Sequence, residues 1–484
     1  MERLIAATPL RGSNGITVGP DGRIWVAEYL PGRISAVDVA TGDVEVIVAP
    51  DGPLHSPDDL VFDTAGTLYI TDVAPGRVWR RSPSGDLTVA ADGIHNPNGI
   101  AAIGDRIFVN EMIPGGRLLE LTATPTVLTE GLMLGNAMQA GPDGDLYYPH
   151  MFPGEVYRIS PDGGTPSLVA EVAQTVAVRF DRTGVLYVLS IDEAGTITRI
   201  DGDQRTEIVT GIAGLDNAAF DAANRMYVSS FSSGGITEVR PDGTLREIVP
   251  RGLAGPYGIA VDARGDLHVA DHYRIDGAFL PFAHAIAASG DDLHFTSQYG
   301  QVLTRSRTET RTRAENLDQP QGITVRPDGT LLVAEAGAGR VLAIAPDDEV
   351  TVAAEGLTRP VDVAVDADGR CYVSDEAQGT VYRVDDGKPT IVADGLHAPQ
   401  GLTVTADGRL LVVEATHRRV VEAGPQPRVI ASNLPVAVPR PTQPALLIAG
   451  LPGVPRQFAA LTTAPDGTIL LGASADGSVL RLTP

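Results

Sequence analysis

Apolar and polar residues alternate in short runs along the whole chain, and the runs recur in phase. From Ile16 the pattern is apolar at Ile16 and Val18, broken by Gly19-Pro20-Asp21-Gly22, and resumed at Ile24-Trp25-Val26. It breaks again at Leu30-Pro31-Gly32, resumes at Arg33-Ile34-Ser35-Ala36-Val37, turns at Thr41-Gly42-Asp43 and ends in Val44-Glu45-Val46-Ile47-Val48. A period of two is that of a half-buried strand. The breaks carry turn chemistry, with Pro presetting one φ and Gly permitting the positive one. Each unit therefore predicts four antiparallel strands. The unit returns at Asp58, Asn98, Asn136, Val176, Asp216, Tyr257, His284, Gln321, Val361, Gln400 and, more faintly, Ala459, giving twelve copies about 40 residues apart. A repeat of that length built from four short strands predicts the blades of a β-propeller.

The phase of the repeat bears on how the blades close into rings. The chain opens on a fourth-type strand, Leu4-Ile5-Ala6-Ala7, and ends on a third-type strand, Ser478-Val479-Leu480-Arg481-Leu482. Residues 1–12 are expected to close the sixth copy, which leaves Leu245-Arg246-Glu247-Ile248-Val249 to close the twelfth. The expected fold is all-β: two tandem six-bladed β-propellers, twelve four-stranded blades, with domains at 1–241 and 242–484. A discontinuous domain or one large ring satisfies the same count. Two places disturb the rhythm. The copy at Tyr257 has no clear fourth strand, and a Pro-rich insert runs from Pro435 to Pro455.

Composition narrows the chemistry. At 484 residues the chain can bury two cores. A formal charge of −24 argues against nucleic acid and anionic membrane as partners and is compatible with a bound cation. Cys371 is the single cysteine, so neither a disulfide framework nor a cysteine metal cluster is expected. The N-terminal residues lack a basic segment followed by an apolar one, and no apolar run reaches membrane-spanning length. A soluble, cytoplasmic protein acting on a small molecule is expected; oligomeric state is left open.

Two positions of each blade are expected at one end of the central channel: the start of the innermost strand and the end of the second. In the first half the inner starts are Asn14, Asp58, Asn98, Asn136, Val176 and Asp216, the last followed by Asn217. The second-strand ends include Glu28, Glu111 and His150. Oxygen ligands from several blades around one axis suit a hard divalent cation, Ca²⁺ first, with Mg²⁺, Mn²⁺ or Zn²⁺ as alternatives. In the second half the inner starts are Tyr257, His284, Gln321, Val361, Gln400 and Ala459. That ring is less acidic and richer in groups that move protons, with His284 a candidate base.

The repeat resembles the NHL-type propeller repeat. SNGITVGPDG at Asn14, NPNGIAAIGD at Asn98, GNAMQAGPDG at Asn136 and LDNAAFD at Asp216-Asn217 resemble the metal-binding positions of the gluconolactonase, senescence-marker-protein and paraoxonase group of six-bladed hydrolases. The resemblance implies a divalent metal that polarises a lactone or ester carbonyl and activates water. Val176 leaves one blade without the group's ligand, and Asn14 stands where the group has a first-blade Glu. The second half also resembles virginiamycin B lyase, with Tyr257 and His284 at its Tyr and His positions.

Three readings follow. In the first, Asn14, Asp58, Asn98, Asn136, Asp216 and Asn217 supply metal ligands, and His150, Glu28 or Glu111 acts as base in lactone hydrolysis. In the second, His284 and Tyr257 transfer protons in a lyase or cyclase reaction. In the third, the chain is a non-catalytic NHL-type binding scaffold.

Overall fold

The structure is a computed structural model and describes residues 1–279, 282–307, 309–439, 446–448, 451–452 and 454–482. Of the Pro-rich insert, residues 440–445, 449–450 and 453 lie outside the described residues. Among those residues there is no helix, and the strands form twelve four-stranded antiparallel sheets, each a blade, numbered 1–12 in chain order, and one two-stranded ribbon of Leu446–Ile448 and Leu451–Pro452. Blade 1 is typical: Ser13–Val18, Ile24–Glu28, Arg33–Val37 and Val44–Val48 pair in that order. The first three strands are mostly buried and the fourth is partly exposed. Apolar side chains from adjacent blades pack together; Trp25 and Trp79 lie in one such cluster with Ile34, Leu60 and Ile70. The Pro-Asp-Gly turns are local devices, in which Asp242 and Asp466 each accept the amide of Thr244 or Thr468 at 2.9 Å. Cys371 is buried, and its thiol is pushed up to about 12 by desolvation, which makes it an inert core residue.

The chain divides into two compact units, Thr8–Gly252 and Met1–Ala7 with Leu253–Pro484. Each holds six blades. The closing strands differ from the sequence expectation. Leu245–Val249 pairs with Ile236–Val239 of its own blade 6. Glu2–Ile5 pairs with Ser478–Leu482 and completes blade 12. The reason is local: a tight turn at Arg240–Thr244 returns the chain directly as a hairpin, at small loop-closure cost. Blade 6 is thereby complete, and blade 12, which ends on its third strand, takes the chain's first strand. The C-terminal propeller is thus the discontinuous one. Blade 7 does have a fourth strand, Ala278–Phe279, paired with Arg274–Ile275, each two residues long.

Candidate functional site

In nine of the twelve blades the ladder slips at the start of the inner strand. In blade 1, Ser13 pairs with Glu28 and Ile16 with Val26, so Asn14 and Gly15 face the single residue Ala27. The same slip leaves Asp58-Asp59, Asn98-Gly99 and Asp216-Asn217 outside the regular ladder. Such a bulge re-aims side chains that would otherwise alternate across the sheet. Packing of the next blade explains the glycines. A Cβ on Gly15 would lie 2.5 Å from the Asp58 carbonyl oxygen, and one on Gly99 would lie 2.1 Å from that of Asn136.

These bulges bury an acidic, oxygen-rich cluster: Asn14, Asp58, Asn98, Asn136 and Asp216 are each at most 8% exposed. Asn14 Nδ2 donates to Asp58 Oδ2 at 3.2 Å. Asn98 and Asn136 turn their amide nitrogens toward the sulfurs of Met112 and Met151, at 3.0 and 3.1 Å. Asn136 Oδ1 accepts the Ala137 amide at 2.7 Å. Asn14 Oδ1, Asn98 Oδ1 and Asp216 Oδ2 are buried with no hydrogen-bond partner. Burial, with the charge of Asp59 behind it, pushes Asp58 up to about 7 against the pull of its Asn14 hydrogen bond. Asp216 is pushed well above the carboxylate range by burial and then by Asp58 and Asp59. Buried acceptors are ordinarily satisfied, so a site with three orphaned oxygens and two mutually repelling carboxylates is suited to a proton or a cation. The donor set, all oxygen and partly anionic, fits a hard divalent ion.

Behind this cluster lies a buttress that the sequence reading missed. Asp59 accepts the amides of Leu60 at 2.9 Å and Ile100 at 3.3 Å, tying blade 2 to blade 3. Arg179 Nη2 stands 3.6 Å from Asp59, and the same guanidinium donates to the carbonyls of Ala218, Met138 and Val178 at 2.8–2.9 Å. Asn217, expected as a metal ligand, belongs here instead. Its Nδ2 donates to Asp59 Oδ1 at 3.1 Å and its Oδ1 accepts the Ala218 amide at 2.8 Å. The available signals were an Asp-Asp doublet and a lone arginine in the apolar strand Thr175–Phe180.

Glu28 and Glu111, expected as candidate bases, are anchors. Glu28 accepts from the Arg11 amide at 2.9 Å, from Arg33 Nε at 2.6 Å and from Ser35 Oγ at 2.6 Å. Glu111 accepts from the His95 amide at 3.0 Å and from Arg117 Nε and Nη2 at 2.8 and 2.5 Å. Both oxygens are spent because the side chain at this register position meets the entering loop and the arginine that opens the third strand. His150 occupies the equivalent place in blade 4 without such an anchor. It lies against Tyr157 at a ring separation of 4.7 Å, its Nε2 is buried without a partner, and desolvation keeps the imidazole neutral.

In the C-terminal propeller, Tyr257 and His284 come together, ring centroids 5.5 Å apart, with His272 5.5 Å from Tyr257. Both nitrogens of His284 and Nδ1 of His272 are buried without partners. Desolvation, then the Arg359 charge, pulls His284 down to about 4; desolvation, then His284, pulls His272 down to about 3. His272 adopts φ 75°, a strained conformation for a non-glycine residue. Gln400 is tied to Glu376 at 2.9 Å, and Glu376 to Arg456 at 2.6 Å. A cavity of about 500 Å³ runs between the inner strands of the N-terminal propeller, with Arg179 in its wall, and one of about 280 Å³ between those of the C-terminal propeller, with Tyr257 and Asp362 in its wall. The Asn14–Asp216 cluster lines neither.

The chain is thus a tandem six-bladed propeller with a buried oxygen cluster in its first ring and an imidazole-rich cluster in its second. Residues 284–428 match the family described as the SMP-30/Gluconolactonase/LRE-like region. A gluconolactonase of Zymomonas mobilis is 30% identical over 195 residues, covering 33% of this chain and 54% of that enzyme, so the chain spans about half of its length. Among solved structures, a streptogramin B lyase is 18% identical, covering 61% of this chain and 94% of that one with a TM-score of 0.41. The calcium-binding protein regucalcin of Agrobacterium tumefaciens is also 18% identical, covering 48% and 86% with a TM-score of 0.40.

Proposed function

We propose that the N-terminal propeller is a divalent-cation-dependent lactonase acting on a small organic lactone or related ester. The observation that carries this is the set of buried, unpartnered oxygens Asn14 Oδ1, Asn98 Oδ1 and Asp216 Oδ2 beside Asp58. With Asn136 they supply the oxygen set, Ca²⁺ being the first expectation. Such an ion, when bound, polarises the substrate carbonyl and lowers the pKa of water. The chain's own residues do the rest. His150, neutral and with Nε2 free, accepts the proton of the attacking water. Asp59, Arg179 and Asn217 hold the bulges of blades 2, 3 and 6 in place, so the oxygen set keeps its geometry without the ion. The gluconolactonase similarity supports the reaction class for the chain, with the family match itself at residues 284–428 of the C-terminal propeller, and makes glucono-δ-lactone the first substrate to test.

Metal content and lactone hydrolysis, measured together on wild type, Asp216→Ala and Asn136→Ala, test this reading. One divalent ion per chain and activity, both present in wild type and both missing from each variant, support it. A protein that stays metal-free after dialysis against Ca²⁺ and Zn²⁺, or that keeps full activity as Asp216→Ala, overturns it. A second reading rests on His284. Its buried neutral imidazole, beside Tyr257, is equipped to take a proton from a substrate carbon in a lyase or cyclase reaction. Under that reading His284→Ala, and not Asp216→Ala, abolishes turnover.

A further inference from the structure

Six of the twelve blades end their second strand on a carboxylate that receives the amide of a residue entering the blade, among them Arg11 onto Glu28, Asp318 onto Glu335, Thr358 onto Asp375 and His397 onto Glu414. Three residues after the carboxylate stand Pro31, Ala338, Gln378 and His417 in the same blades. The entering residue and the residue three beyond the carboxylate converge above it. In blade 10, Gln378 Nε2 donates to Thr358 Oγ1 at 2.6 Å. Of these four blades, blade 11 alone has histidine at both places, His397 and His417.

The geometry there is that of a ligand set. Nδ1 of His397 lies 3.3 Å and Nδ1 of His417 3.7 Å from Glu414 Oε1. The three ligand atoms fall within 4.8 Å of one another, and the two rings are 4.0 Å apart. An ion bound tetrahedrally at about 2.1 Å needs its ligands about 3.4 Å apart. The carboxylate is preorganised: Glu414 is buried, Oε1 accepts the His397 amide at 3.0 Å, and Arg419 holds Oε2. The imidazoles are half exposed, which leaves further coordination positions to water. The turn that presents His417 is also unusual. Arg418 takes φ 50° where the matching residues of blades 1, 2, 9 and 10 are Gly32, Gly76, Gly339 and Gly379 at φ 65–72°. A side chain in that region is disfavoured because its Cβ crowds the following carbonyl oxygen.

We propose that His397, Glu414 and His417 bind a borderline transition-metal ion, of the Zn²⁺, Ni²⁺ or Cu²⁺ class, at a solvent-open site on blade 11. Two imidazoles with one carboxylate select that class over Ca²⁺ or Mg²⁺. The site is independent of the oxygen cluster in blades 1–6 and does not rest on the lactonase reading.

The test is a Zn²⁺ titration of the full chain, by calorimetry and by metal analysis after dialysis. The proteins are wild type, the double variant His397→Gln/His417→Gln, and Asp216→Asn. Circular dichroism checks that the exposed double substitution leaves the fold intact. The double variant is expected to bind one Zn²⁺ fewer per chain than wild type, or to bind it at least tenfold more weakly, while Asp216→Asn keeps that ion. In wild type, Cu²⁺ bound at this site is expected to show coupling to two nitrogens by paramagnetic resonance. Equal Zn²⁺ binding by wild type and the double variant, or none by either, overturns the proposal.

Discussion

The two propellers share a scaffold whose positions match once the second ring is read two blades out of step with the first. Ser229 accepts the Asn217 amide at 3.2 Å and donates to the carbonyl of Asn14; Thr296 accepts the Ala285 amide at 3.0 Å and donates to that of Gln321. Asp59 bridges the amides of Leu60 and Ile100, and Asp362 bridges those of Val363 and Leu402 at 2.9 Å each. Blades 6, 1, 2 and 3 therefore correspond to blades 8, 9, 10 and 11. At these matched positions Asn14, Asp58, Asn98 and Asp216 become Gln321, Val361, Gln400 and His284, and Arg179 becomes Ala260. The framework hydrogen bonds are kept while the carboxylates of the oxygen set are replaced. Chemistry in a propeller is thus separable from closure: bulges and bridging side chains build the ring, and the residue turned inward at each bulge decides what the ring can hold.

The sharpest way to break this comparison is to compare Asp216→Ala with its counterpart, His284→Ala. Asp216→Ala removes an orphaned, buried carboxylate oxygen from the first ring. It is expected to release the divalent ion and lower lactone hydrolysis at least about 1,000-fold, whereas His284→Ala changes the rate by less than about threefold. Steady-state rates with metal analysis on both variants decide between the rings. Reversed results would move the chemistry to the second ring.

Next in size is Arg179→Met. It leaves Asp59 buried beside three carbonyls that have lost their donor. Removing one partner of a buried ion pair costs about 3–5 kcal/mol, and urea unfolding followed by the fluorescence of Trp25 and Trp79, both in the N-terminal propeller, should show it. The matched Ala260 of the second ring offers no such lever. Equal stability of wild type and Arg179→Met would mean that the ion pair does not hold the first ring together.

The repeat, the four-strand blade and the inner-strand positions were legible because each is written in short-range periodicity and turn chemistry. What was not legible depended on where a side chain points after a bulge. Asn217 and Asp216 are adjacent, yet one props Asp59 and the other is left unpartnered, a difference that period-two alternation cannot assign once the ladder slips. Glu28 and Glu111 stood at the expected end of the expected strand, but the arginines facing them, Arg33 and Arg117, neutralise them. The pairing of Glu28 with Arg33 across a tight turn is present in the sequence as a spacing of five residues that recurs at Glu335–Arg340 and Glu414–Arg419. Ring closure was expected the wrong way round, with residues 1–12 on blade 6 and Leu245–Val249 on blade 12, because by sequence either free strand fits either open blade.

Removing Met1–Ala7 separates the propellers by closure. The deletion strips Glu2–Ile5 from Ser478–Leu482 and breaks the Arg3–Asp476 and Arg481–Glu2 ion pairs at 2.8 and 3.0 Å. The lost strand is mostly exposed, so a cost of about 2 kcal/mol is expected, confined to blades 7–12. Hydrogen exchange should rise in blade 12 and stay unchanged in blade 6. Faster exchange in blade 6 would show that the N-terminal strand supports the first ring instead.

The smallest expected effect concerns Asp362, the counterpart of Asp59 without its arginine. Burial pushes its carboxyl up to about 7, against the two amides it accepts. Because the folded value lies above the unfolded one, the folded state binds the proton more tightly. Its contribution to stability is therefore complete below the unfolded value near 4 and is lost as pH rises through 7. Between pH 6 and 7 that loss amounts to about 1 kcal/mol. Asp362→Asn should remove this part of the slope whatever its effect on absolute stability, since an amide does not titrate and only the pH dependence reports the proton. Urea midpoints of wild type and Asp362→Asn at pH 6 and 7 check it. Parallel slopes would mean that Asp362 is ionised throughout and that the second ring has another counter-charge. The two rings would then differ in their inward residues alone, and no longer in how each keeps a buried carboxylate.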